Sequence, residues 1–393
     1  MSPLRIAVFT DSALPILNGV SVSIDALVQE LRNRGHGVHV FTAAHFRYRD
    51  PDPNTYRFFA VETPWTKNYP LAIPPFYPML RHFRRHTFDL IHTHTPFTIG
   101  FVGLRWAQSH EIPIVSTYHT LYDKYAHYIP FFPKRYVRYK IAKHTNFYYN
   151  SVDHVITPST AALRWLRRHS VGTPITVVPT ANTQSRPIDR AEVRQRLGVA
   201  PEHKVLLYVG RIAREKNLTT LLEACALAMR VDPDLRLWLV GDGPFRQACV
   251  EHSRVLGIGD RVRFEGFVPR EEVDAYYAMA DLFVFASMTE TQGLVVSEAM
   301  SYGLPAVVVQ GGGASASLRD GETGLIVRND AAAMSEAILR IVGDESLYSR
   351  YSQAARSTVR SYTRADMADL VLDVYHQVLG RTEAARAEGS LPV

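Results

Sequence analysis

Cysteine is nearly absent from this 393-residue chain: Cys225 and Cys249 are the only two. Both fall in apolar helical patterns, which excludes a disulfide framework and a cysteine-built metal site and points to reduced core residues in a cytosolic protein. No apolar run approaches the ~20 residues a membrane-spanning helix needs. The opening stretch MSPLRIAVFTDS enters a strand directly, without a signal-peptide pattern. No Gly-x-Gly-x-x-Gly follows that strand, which removes the nicotinamide oxidoreductases that share an α/β plan. Short-period repeats are lacking too.

What is present describes a soluble globular protein of two domains, with 46% hydrophobic and 21% charged residues. The net charge of +6 hides an asymmetry. Residues 1–185 hold 20 Lys+Arg against 10 Asp+Glu, giving +10, and the remainder holds 24 against 28, giving −4. Thirteen of the sixteen histidines also lie in the first half. That half is expected to meet something anionic, either nucleic acid or a membrane surface. Short β-branched strands alternate with helical patterns twice along the chain, which implies two doubly wound α/β domains.

The most informative stretch runs from Ala286 to Pro305, ASMTETQGLVVSEAMSYGLP. The buried-strand pattern of Leu282–Phe285 leads into a polar turn with Glu290 and Gly293, then a helix closed by Gly303 and Pro305. A strand, a glycine turn and a helix N-terminus form an anion cradle. Glu290 and Glu298, eight residues apart, would repel phosphate, so they suit hydroxyls: one a sugar's, the other a ribose's. The competing reading makes them ordinary acids at a helix start. Upstream, the strand Val205–Val209 ends in Gly210-Arg211-Ile212-Ala213-Arg214-Glu215-Lys216-Asn217. Arg211 and Lys216 stand where a helix dipole disfavours cations, which a bound diphosphate would explain and a solvated charge run would not.

Glu290-x7-Glu298, Gly210-Arg211…Glu215-Lys216-Asn217 and Gly241-Asp242-Gly243-Pro244 together resemble the retaining nucleotide-sugar glycosyltransferases of family 4, in the family's order and over nearly the whole chain. The resemblance implies a GT-B fold, an α/β architecture with two Rossmann-like domains facing a cleft, donor in the second and acceptor in the first. Arg211 and Lys216 would neutralise the departing diphosphate, with Glu290 on sugar hydroxyls and Glu298 on ribose. Gly293, Leu294 and Val295 would give backbone contacts, and Gly241 and Val268 would line the nucleotide. Gly19, in a turn with one glycine where many members have two, would face the donor diphosphate. His119, in the triplet Tyr118-His119-Thr120, would approach the donor sugar. A covalent role for Glu290 ranks below a donor phosphate oxygen taking the acceptor proton. No cofactor and no metal are expected: Asp50-Pro51-Asp52 and Asp232-Pro233-Asp234 read as turns, and His92 and His94, on one strand face, lack a third ligand nearby. Two departures from the family form are Thr180-Ala181-Asn182, where a glycine turn is usual, and GGGASASLRDGETG, which lacks a Pro-Glu.

The run LYDKYAHYIPFFPKRYVRYKIAKHTNFYYN, residues 121–150, interleaves aromatics with Lys134, Arg135, Arg138, Lys140 and Lys143. Such helices lie on anionic bilayers; a half-buried helix with a solvated face is the plainer alternative, and no nucleic-acid motif accompanies it. The run resembles that of bacterial diacylglycerol glucosyltransferases, which implies a lipid acceptor and a cytoplasmic protein peripheral to the inner membrane face. Tyr118, Lys134, Arg135, Arg138 and Lys143 are the candidate acceptor or membrane residues. The expected reaction moves a hexose, glucose from UDP first, to a hydroxyl; a soluble sugar, polyol or small-molecule acceptor, or an epimerase, is the alternative. Expected boundaries are 1–185, 186–362, a crossing-back helix at 363–380 and a disordered tail at 381–393.

Overall fold

Parallel strands need a crossover, and the chain supplies a helix for most of them. The computed structural model describes residues 2–16, 18–45, 48–61, 71–73, 76–122, 132–181, 185–358 and 362–387. The chain divides into two units, one of residues 1–181 with 363–393 and the other of residues 182–362.

Unit 1 begins with β1 (Arg5–Thr10), α1 (Gly19–Asn33), β2 (Gly37–Ala43) and β3 (Thr55–Phe58). A small hairpin of β4 (Ala60–Val61) and β5 (Leu71–Ala72) precedes α2 (Tyr77–Phe83). Then come β6 (Leu90–Thr93), α3 (Thr98–Ser109), β7 (Ile114–Thr117), α4 (Lys134–Tyr149), β8 (His154–Thr157), α5 (Thr160–Arg168) and β9 (Ile175–Val177). The seven main strands are parallel in the order β3-β2-β1-β6-β7-β8-β9. Both faces are covered, so the strands read as nearly continuous apolar runs. An aromatic cluster fills one side, with Phe9 stacked on Phe41 at 4.7 Å.

Unit 2 follows with α6 (Arg190–Leu197), β10 (Lys204–Val209), α7 (Leu218–Val231), β11 (Leu235–Val240), α8 (Arg246–Val255) and β12 (Val262–Gly266). After these come α9 (Arg270–Met279), β13 (Leu282–Phe285), α10 (Leu294–Ser301), β14 (Ala306–Val309), β15 (Gly324–Val327), α11 (Ala331–Val342) and α12 (Glu345–Thr358). Its parallel sheet runs β12-β11-β10-β13-β14-β15. Cys225 and Cys249 are buried in α7 and α8. Both Asp-Pro-Asp segments hold their own neighbourhoods: Asp52 pairs with Arg32 at 2.7 Å, Asp50 with Arg57 at 2.5 Å and Asp232 with Lys204 at 3.0 Å.

The terminal helix α13 (Arg364–Ala387) belongs to unit 1 and packs on α1. It corrects the tail expected from 381: the segment TEAA, from Thr382, has no strong helix breaker, so the helix carries on to Ala387. Parts of three sequence features lie outside the described residues: 123–131 of the basic run, Asn182–Gln184 at the domain junction, and 388–393.

Candidate active site

Strand order reverses between β10 and β13, so the connections leaving these neighbours run to opposite sides of the sheet and open a crevice at their C-terminal ends. The two glutamate and cation motifs leave the sheet there. Past β10, the Tyr208 hydroxyl donates to the Arg211 carbonyl at 3.0 Å, which holds the turn while the Arg211 side chain is exposed. Gly210 and Gly241 run backbone against backbone, with no space for a side chain at Gly241. Arg214–Lys216 forms a single tight turn closed by Asn217 in the left-handed region at φ 57°. Asparagine tolerates that conformation, and its amide donates to the Ala286 carbonyl at 3.3 Å and to Asn329 Oδ1 at 2.7 Å. The β10 and β13 loops are thereby tied together.

Their side chains meet directly. Lys216 Nζ lies 2.5 Å from Glu290 Oε1, with side chains only 13% and 24% exposed. Glu290 is also anchored through its backbone, whose carbonyl accepts from Gly313 N at 2.6 Å. A side chain at Gly313 would collide with Thr291 (Cβ to carbonyl O 2.0 Å), so the glycine run lets two loops press together. Gly293 stands in the left-handed region at φ 72°, where it caps α10, and a Cβ there would come 2.6 Å from Ala314 Cα. Leu294 and Val295 form the half-buried first turn behind it.

Glu298 is a turn further into α10. Its Oε1 accepts from Arg270 Nη2 at 2.8 Å and its Oε2 from the Tyr277 hydroxyl at 2.9 Å. Burial raises its pKa, opposed by the Arg270 charge and the Tyr277 hydrogen bond. A carboxylate has about four lone-pair sites, so two donors orient Glu298 without saturating it. Val268 is half-buried against the core, next to Phe267, which is 65% exposed.

Family profiles match both halves: "Glycosyltransferase Family 4" over residues 17–181 and "Glycosyl transferases group 1" over residues 189–358. An alpha-monoglucosyldiacylglycerol synthase of Streptococcus pneumoniae is 33% identical over 324 residues, covering 77% of this chain and 70% of its own. The chain belongs to the family 4 glycosyltransferases. A second alpha-monoglucosyldiacylglycerol synthase, from Acholeplasma laidlawii, is 28% identical over 377 residues, with 92% and 94% covered. Among solved structures, a sucrose-phosphate synthase from Thermosynechococcus elongatus superposes with a TM-score of 0.79 at 25% identity, covering 96% of this chain and all of the other. This glycosyltransferase has the GT-B architecture of two Rossmann-like domains.

In unit 1 of the glycosyltransferase the reversal falls between β1 and β6. Gly19 opens α1 at an exposed position with open space where a Cβ would stand, behind the Asn18 cap, whose Oδ1 accepts from Val20 N and Ser21 N at 2.9 Å. Asp11, raised in pKa by burial, accepts from Thr95 Oγ1 at 2.5 Å and Ile99 N at 3.0 Å, tying the β1 loop to α3. His119 lies two residues past β7, nearly buried, with Nε2 3.0 Å from His94 Nδ1. His92 has both ring nitrogens engaged, Nδ1 with the Tyr375 hydroxyl at 2.6 Å and Nε2 with Thr117 Oγ1 at 2.7 Å. Burial depresses all three imidazoles, His92 to about 3, His119 to about 4 and His94 well below the usual value.

Tyr118 is a correction. Expected at an acceptor or membrane surface, it is fully buried, stacked on Trp165 at 5.5 Å and edge-on to Tyr149 at 5.3 Å. A large ring beside the buried strand β7 completes the core and leaves no surface for a ligand. The rest of the basic-aromatic group is outward: Lys134, Arg135, Arg138 and Lys143 are exposed on α4, while Val137, Thr145, Tyr148 and Tyr149 are buried. Tyr208, Arg270 and Tyr277 escaped the sequence reading. Tyr208 bonds the Arg211 carbonyl three residues on, whereas Tyr277 and Arg270 reach the Glu298 carboxylate 21 and 28 residues away on another helix, which no local pattern marks.

Proposed function

We propose that the glycosyltransferase moves a hexose, with retention, from a nucleoside-diphosphate sugar to the hydroxyl of a membrane lipid such as diacylglycerol. The observation that carries the donor half is the Lys216–Glu290 pair at the β10/β13 reversal, where a cation for phosphate and an acid for sugar hydroxyls sit side by side. Arg211 and Lys216 neutralise the leaving diphosphate, Glu290 holds sugar hydroxyls, and Glu298 holds the ribose. Gly210, Gly241, Gly293, Leu294, Val295 and Val268 frame the nucleotide, Gly19 faces the diphosphate, and His119 serves the transferred sugar. The acceptor oxygen bonds to the anomeric carbon as the carbon–phosphate-oxygen bond breaks on the same face, and the acceptor proton passes to the departing phosphate oxygen. No metal takes part, because the two side-chain cations carry that charge.

The acceptor half rests on α4 and on the two diacylglycerol-acting relatives. Phe132, Tyr136, Tyr139 and Phe147 are exposed among five Lys and Arg, and α4 contains no acid. A second basic surface, on α2 and the two residues after it, holds an open depression lined by Tyr77, Leu80, Arg81, Arg84 and Arg85. Both suit a protein lying on the anionic inner face of the cytoplasmic membrane. Among the described residues no helix is long and apolar enough to cross one.

The decisive experiment offers UDP- and GDP-sugars with diacylglycerol liposomes, soluble sugars and polyols, and reads products by mass spectrometry, with and without EDTA. Glucosylated diacylglycerol from UDP-glucose, unaffected by EDTA, is the expected product. Transfer to soluble acceptors alone overturns the lipid assignment, and an isomerised sugar from donor alone would make the protein an epimerase.

A further inference from the structure

The His92–His94–His119 ladder does more than fill space. His94 is buried and its backbone N–H donates to the Phe9 carbonyl at 2.9 Å, which fixes it at the β1/β6 reversal. Its ring is held on one side by His92, centroids 4.0 Å apart, and on the other by the hydrogen bond to His119. His92 is itself locked by Thr117 and by Tyr375 of α13, so the terminal helix buttresses the ladder.

In the His94–His119 bond one nitrogen must donate and the other accept, since a neutral imidazole carries a single N–H. The orphaned atom decides which. Among the described residues His94 Nε2 is buried without a hydrogen-bond partner. If the proton were there, a buried N–H would go unsatisfied, the rarer and costlier defect. With the proton on Nδ1, the orphan is only a lone pair. His94 Nδ1 therefore donates to His119 Nε2, and His119 must carry its own proton on Nδ1.

We propose that His94 is a positioning residue for the transfer reaction: it fixes the ring plane and tautomer of His119, so that His119 presents Nδ1–H as a hydrogen-bond donor to a sugar oxygen. This rests on the reading of His119 as a donor-sugar contact. No proton is transferred and no bond to His94 forms. Its contribution is geometric, and misplacing a catalytic contact by about 1 Å can cost about 10²-fold in rate.

The test combines tautomer and kinetics. Protein labelled with ¹⁵N-histidine gives long-range proton–nitrogen spectra, in which His119 is assigned by its loss in His119→Ala. The expected pattern is a protonated Nδ1 and a bare Nε2 in wild type, giving way to the Nε2–H form or a mixture in His94→Phe, which keeps ring volume but no donor. His94→Asn places an amide N–H near the Nδ1 position and should restore both the tautomer and most of the transfer rate lost in His94→Phe, with kcat reduced more than donor KM is raised. A proton on His119 Nε2 in wild type, or equal loss of rate in both His94 variants, overturns the proposal. If the tautomer switches as expected but transfer survives in His94→Phe and His119→Ala alike, it is the placement of His119 at the sugar that fails, and the catalytic role of His94 with it.

Discussion

Burying neutral histidines makes stability depend on pH, and His92 allows the size to be worked out. Its pKa falls from 6.5 to about 3 because burial penalises the imidazolium. As pH falls below 6.5 the unfolded chain takes up a proton that the folded chain refuses until about pH 3, so stability is lost across that window as the solution is acidified. Between pH 7 and pH 5 the unfolded-state term RT ln(1 + 10^(pKa − pH)) grows by about 2 kcal/mol for one such histidine. Other groups titrate in unit 1: His36, His39, His94, His119 and His154 are depressed by burial with the same sign, while Asp11 and Asp153 are raised and pull the opposite way. A difference between two proteins removes them. Wild type and His92→Gln, whose amide can still meet Thr117, should be compared by hydrogen exchange on peptides spanning Leu90–Thr93, corrected for intrinsic rates. Peptides spanning Lys204–Val209 of unit 2 serve as the internal control. From pH 7 to pH 5 wild type should lose about 2 kcal/mol more opening free energy than the variant. Parallel pH profiles for the two proteins would refute the claim that His92 is buried neutral.

Three further outcomes are expected. Lys216→Ala should lower transfer and donor hydrolysis by about 10²–10³ in kcat, measured by nucleotide release; to separate chemistry from folding, a Lys216→Met, Glu290→Gln double variant should melt near wild type yet stay inactive. Tyr277→Phe takes away one of the two donors to Glu298, so the donor Kd should rise about tenfold, the equivalent of ~1.4 kcal/mol, by calorimetry with the nucleotide diphosphate, while kcat falls less. Replacing Lys134, Arg135, Arg138 and Lys143 together by Ala should weaken binding to anionic liposomes by about 10³, at ~1 kcal/mol per cation, in sedimentation assays, with folding unchanged because all four are exposed.

The alternation of β-branched strands with helical patterns made the two sheets legible, since period and breakers are local properties of the chain. Loops bearing Gly210–Asn217 and Ala286–Gly293 were legible for the same reason. That the two loops touch was not: Lys216 and Glu290 are 74 residues apart, and only the strand order that sets β10 beside β13 makes them neighbours. The resemblance supplied roles for these residues, but not the Arg270 and Tyr277 contacts to Glu298, which depend on how α9 packs against α10. Tyr118 was misread because its triplet partner His119 drew it toward the ligand, whereas ring packing against Trp165 and Tyr149 decides its place. His92 and His94 share a strand face as the period-2 pattern requires, yet what they bind, Tyr375 and His119, comes from α13 and the end of β7.

Under the roles proposed for Lys216 and Glu290, their contact also bears on how one site could hold a cation and an acid for different ends of one donor. A half-buried lysine or glutamate left alone carries a desolvation cost, which their pairing offsets. A diphosphate brings more negative charge than one carboxylate and several more acceptor oxygens, so it competes well for the ammonium. In the proposed reaction Glu290 would then trade the lysine for hydroxyl donors of the sugar on that diphosphate. Each group thus has a partner before and after donor binding, and the same ligand supplies both replacements. A free nucleoside diphosphate brings the phosphates without the sugar, leaving Glu290 short of donors. On this argument the intact nucleotide sugar satisfies the site better than its own leaving group does, which favours product release after transfer.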